Sequence, residues 1–149
     1  MNGDGLVLDL KSSALRRLLG DWEARRRGRE LPARADFDPV DLKYVLGNLS
    51  LVDVTHNPRR YRFRIHATAV AEHMGFDLTG KALEAMPDTQ YLALVRKHYD
   101  SVVASRRPVM QYRDRLLTDQ RVWHCEVLVL PLSADGQTVD MLMSGFIWF

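Results

Sequence analysis

The side chains able to do chemistry are five histidines, one cysteine and a scatter of carboxylates, and they do not fall into working pairs. Cys125 lies in V-W-H-C-E-V-L-V-L, a strand-like run whose successive residues point to opposite faces, so it reads as a sheet or core residue. No nucleophile with an adjacent base can be assembled, and no enzymatic activity is expected. His66, His73, His98 and His124, with Glu72 and Asp77, supply metal-ligand chemistry but not metal-ligand spacing such as H-x-x-x-H, and no metal site is expected. His98 stands apart because it falls on the apolar side of a helix. It reads either as a core histidine whose nitrogens are satisfied by a carbonyl or water, or as a polar contact that orients a small acid or amide in an apolar pocket.

The elements that must position these residues centre on Tyr61 to Lys81. Tyr61, Phe63 and Ile65 alternate with Arg62, Arg64 and His66, the pattern of a strand with one apolar face and one solvated or salt-bridged face. Ala67 to Met74 then reads as a short helix stopped by Gly75, and Asp77, Thr79 and Gly80 reverse the chain, the first two as caps for nearby N–H groups. Asp88 caps a longer helix from Tyr91 to about Ala104, with Tyr91, Val95 and Val102 on its apolar side. The facing positions Phe63, Ile65, Val95, His98 and Val102 are the expected lining of a ligand pocket between strand and helix.

Upstream, Ser12 or Ser13 starts a helix with Leu15, Leu18, Leu19 and Trp22 at i, i+3, i+4 and i+7, closed by Gly28. So narrow a stripe needs a partner, either its own sheet or a second copy of itself, and self-association through it is expected. Asp38-Pro39 starts a second short helix ending near Gly47. Leu49 to Thr55 forms a hairpin with the Tyr61 strand, and Val109 to Leu117, Val122 to Leu130 and Val139 to Trp148 complete five strands. The expected class is α+β: a five-stranded antiparallel sheet with helices on one face and an extra N-terminal helix.

A chain of 149 residues with 46% hydrophobic content builds one core. Residues 1–28 are set apart as an arm and helix, and residues 29–149 form the domain. Twenty-one basic against nineteen acidic side chains leave a formal charge of +2, which points to neither nucleic acid nor an anionic membrane. A single cysteine fits a reducing compartment, and with no membrane-spanning run and a polar MNGDG start the expected location is cytoplasmic.

Two signatures carry a family resemblance: G-F-D-L-T-G-K from Gly75 to Lys81 after the Y-R-F-R strand, and L-P-L-S-A-D-G from Leu130 to Gly136. With R-R-G-R-E-L-P-A-R-A-D-F-D-P-V-D-L from Arg26 to Leu42, they make the chain resemble the PAS superfamily, in particular the compact single-domain PAS proteins of alphaproteobacteria. The resemblance implies a PAS sheet in preference to a GAF-like or roadblock-like one. The flavin photoreceptors of the superfamily carry G-x-N-C-R, which has no match here. Haem-binding members use a histidine on the long helix, so His98 matches in position while the residues around it do not. The implied function is a cytoplasmic sensory or adaptor module that binds a small molecule between sheet and long helix. It would signal through a homodimer or a separate signalling protein, and the alternative is a ligand-free protein-interaction module.

Overall fold

Ser12 opens the first helix by accepting the Leu15 backbone N–H at 3.1 Å, and Arg27, in the left-handed region at φ 53°, ends it. This helix, α1, spans Ser13–Arg26 in the computed structural model, which describes residues 8–116 and 122–149. Most of the expected N-terminal arm, residues 1–7, and Leu117 at the end of the expected third strand lie outside the described residues. Asp38 caps Val40, but the short helix expected to follow is two 3-10 turns, Pro39–Leu42 and Leu46–Asn48. Leu42 and Val45 turn inward and Tyr44 packs partly against the core, while Val40 and Leu46 are exposed, so the run buries separate residues and not one continuous helical face.

Strands β1 (Leu49–Thr55) and β2 (Arg60–Ile65) form the first hairpin; helices α2 (Thr68–Met74) and α3 (Thr89–Ser105) follow. Strands β3 (Val109–Leu116), β4 (Val122–Leu132) and β5 (Met141–Trp148) complete one antiparallel sheet in the order β2-β1-β5-β4-β3. Gly75 ends α2 at φ 84°, and the Asp88 carboxylate caps α3 by accepting the Tyr91 N–H at 3.0 Å.

The sheet is covered on both faces. On β5, Phe146 and Ser144 face α2 and α3, while Gly145 faces the other way, onto α1. A Cβ at Gly145 would stand 2.8 Å from a Leu15 methyl and 3.0 Å from a Leu18 methyl. Leu15, Leu18 and Trp22 are wholly buried and Leu19 is 9% exposed. The indole Nε1–H of Trp22 donates to the Pro131 carbonyl at 2.8 Å. The apolar stripe expected to mediate self-association is thus spent on the chain's own sheet, because Gly145 removes the side chain that would hold the helix off. On the same outer face the buried Glu126 carboxylate accepts the N–H groups of Lys11 and Ser12 at 2.7 and 2.9 Å, fastening the entry to α1.

The β1–β2 ladder breaks register between Leu51 and Val52: Val52 pairs with Phe63 and Leu51 with Ile65, leaving Arg64 as the extra residue. Beyond this bulge the parity of β2 inverts. Phe63 stays inside at 3% exposure, whereas Ile65 turns to the outer face at 46% exposure and does not line the interior as expected. Ile65→Thr is therefore predicted to shift stability by under about 0.5 kcal/mol, while Phe63→Ala costs about 3–5 kcal/mol. Paired urea denaturation curves measure both.

Candidate functional site

Between the sheet and α3 lies a cavity with apolar walls from Phe63, Val70, Val95 and Phe146 and polar ones from Ser50, His66, Tyr99 and Arg113. Met74 and Met86 complete the lining together with Tyr91, and the interior of about 10 Å³ is at the lower limit of room for one water. Of the residues expected to line a pocket, Phe63 and Val95 do so. His98 and Val102 are buried on α3 behind the wall, and Ile65 is outside.

His98 is held by both ring nitrogens. Nε2 lies 2.7 Å from the Val109 carbonyl, and Nδ1 lies 2.8 Å from Nη2 of Arg113. Because a carbonyl and a guanidinium can play only one role each, Nε2–H donates and Nδ1 accepts, and the ring is neutral. Burial, reinforced by the Arg113 charge, pushes its pKa down to about 3. Neither nitrogen is left to coordinate a metal, and among the described residues no three His, Cys, Asp or Glu side chains converge.

Arg113 is the residue that sequence reasoning missed. It is 1% exposed and faces the α3 side of β3, where its cation lies 5.5 Å from the ring centres of both Tyr91 and Phe146. Its Nε–H donates to Gln111 Oε1 at 2.9 Å and Nη1 to the Tyr91 hydroxyl at 3.0 Å. In β3, Val109, Gln111 and Arg113 share one face and Met110, Tyr112 and Asp114 the other, so alternation alone does not say which face meets the core. The first of these is the inner face because Arg113 pairs with Cys125 and Gln111 with Val127, both buried. Only this cross-strand pairing carries the signal.

His66 follows the bulge and turns inward, its Nδ1 accepting the Leu78 N–H at 3.0 Å between the rings of Phe63 and Phe76. Burial lowers its pKa against the opposing pull of Asp77. The G-F-D-L-T-G turn acts on backbone, as expected: Asp77 accepts the Thr79 N–H, and the Thr79 hydroxyl accepts the His66 N–H. Arg64 meets Asp53 on the solvated face at 3.2 Å. Cys125 is buried with its thiol pKa pushed up to about 12, chiefly by burial, and carries no thiolate character at neutral pH.

A strand, a short helix, a reversing turn and a long helix over a sheet ordered β2-β1-β5-β4-β3 form one continuous unit, and over residues 10–147 its sequence fits the profile of the PAS domain. The chain belongs to the PAS domain family. The match begins ahead of α1, so this helix lies within it. Among solved structures the chain is similar to the PAS domain of BvgS from Bordetella pertussis, at 20% identity over 69% of this chain and 77% of that one, with a TM-score of 0.52. It is similar to VqmA bound to DPO at 14% identity, over 67% of this chain and 52% of that one (TM-score 0.53). The LOV protein of Rhodobacter sphaeroides aligns at 10% identity with 94% of this chain and 69% of its own (TM-score 0.52). At such identities the likeness is one of PAS fold. A search of curated proteins finds no match.

Proposed function

We propose that this PAS domain is a sensory module that binds a small molecule between the sheet and α3, with no catalytic activity of its own. It reports occupancy through contacts with a second copy or a separate signalling protein in the cytoplasm. The observation that carries this reading is the cavity itself, where apolar walls enclose the polar groups of Arg113, Tyr99 and His66. VqmA, of similar fold, was solved bound to DPO. The interior is small, so a ligand has to displace part of the lining, of which Met74 and Met86 are the most flexible side chains. The mechanism is a population shift: a ligand that prefers the opened arrangement raises its share, and partners read the change at the surface. Those contacts lie outside the Leu15, Leu18 and Trp22 stripe, which is buried.

The same small volume favours one other reading, a ligand-free interaction module whose interior is filled by its own side chains. Native mass spectrometry of freshly purified protein, followed by thermal melting against a metabolite panel, separates them. The sensory reading predicts an added mass lost on denaturation, or a compound that raises the melting temperature. A bare mass with no responding compound leaves the interaction module.

A further inference from the structure

We infer that the molecule this cavity accepts is a small carboxylate, with Arg113 as its counter-ion; the inference rests on the sensory reading above. Arg113 is fully buried, yet all three groups that accept its hydrogen bonds are neutral: Gln111, Tyr91 and His98. A guanidinium has five N–H bonds, so two remain to be placed. Among the described residues no carboxylate forms an ion pair with it. The two nearest in the strands are turned away by alternation. Asp114 points to the opposite face and pairs with His124 at 2.5 Å, and Glu126 points to α1 and is consumed by the Lys11 and Ser12 N–H groups. A cation so deeply desolvated and unpaired is unfavourable, and the rings of Tyr91 and Phe146 offset only part of the loss.

The rest of the lining repeats this imbalance. The Tyr99 hydroxyl has no hydrogen-bond partner among the described residues. His66 accepts at Nδ1 and so carries its proton on Nε2, where no partner is found among the described residues either. Ser50 already accepts the Ala67 N–H. The cavity therefore offers donors and one positive charge, and what complements it is a compact acceptor with one negative charge. A planar carboxylate can take the two remaining guanidinium N–H bonds together. The interior of about 10 Å³ admits such a body only when flexible lining such as Met74 and Met86 moves, so the probes are small, from acetate up to benzoate.

The test uses the whole chain with ¹³C-methyl methionine, titrated at constant ionic strength with acetate and benzoate and with the neutral isosteres acetamide and benzamide. The expected result is a saturable shift of the Met74 and Met86 methyl signals with a carboxylate and not with its amide. A rise in melting temperature should accompany it, and binding should weaken at least tenfold in Arg113→Gln. Should that variant fail to fold, the acid-against-amide contrast in the wild type still decides. Amides acting as well as acids overturn the carboxylate assignment and leave the sensory reading standing. The same holds if acids bind equally well to folded Arg113→Gln. No response to any of the four probes overturns the carboxylate assignment, and a bare native mass with no responding compound in the metabolite panel overturns the sensory reading as well.

Discussion

Between pH 7 and pH 4 the folded state is expected to lose about 3 kcal/mol of stability through His98 alone. The ring titrates near 6.5 when the chain is unfolded but only at about 3 in the native state, where it is buried against Arg113. As pH falls through 6.5 the unfolded state takes up a proton that the folded state refuses, so stability falls with pH down to about 3 and is level above neutrality. Protonation would also place two cations 2.8 Å apart and remove the acceptor that Arg113 uses. His66, likewise lowered by burial, acts in the same direction. The carboxylates with lowered pKa, Asp36, Asp77 and Asp135, contribute stability that is present above their ordinary value and lost only below about pH 4. The window from 6.5 to 4.5 thus belongs to the histidines. Urea midpoints at half-unit steps across it should fall steeply in the wild type and clearly less in His98→Gln, which can keep both hydrogen bonds. An equally steep fall in the variant would show that His98 is not the group responsible.

Trp22→Ala is expected to cost about 3–5 kcal/mol, enough to threaten the fold of a domain this size. Trp22 is the largest of the wholly buried side chains among the described residues, and it also carries the hydrogen bond from α1 to the Pro131 carbonyl. Truncation leaves a cavity between helix and sheet and strips that carbonyl of its donor. Trp22→Phe separates the two effects by retaining much of the ring volume and losing the N–H, at about 1–3 kcal/mol. Circular dichroism during chemical denaturation measures both variants. A loss below about 1 kcal/mol for Trp22→Ala would mean that α1 is not docked on the sheet in solution.

The hairpins, the turn at Asp77 and Thr79 and the Asp88 cap of α3 were legible in the sequence because each depends on neighbours a few residues apart. The family was legible too, through the signatures at Gly75 to Lys81 and Leu130 to Gly136. The partner of α1 was not, since Leu15, Leu18 and Trp22 look the same whether they meet Gly145 or a second copy of themselves. Ile65 was misplaced by a bulge that period-two reading assumes away. Arg113 was hidden because the alternation of β3 does not say which face is inward, a choice made by the buried residues of β4.

On strand β5 the two sides of this molecule come within a single residue of each other. Phe146 forms part of the cavity wall, and Gly145, about 3.4 Å along the strand, is the floor on which Leu15 and Leu18 rest. Helix and cavity are thus the two ends of one peptide unit. A rotation of that unit large enough to move the phenyl ring must also tilt the floor. A Cβ at Gly145 would stand 2.8 Å from a Leu15 methyl, so Leu15 rests directly on this backbone and is the first side chain of α1 to meet such a tilt.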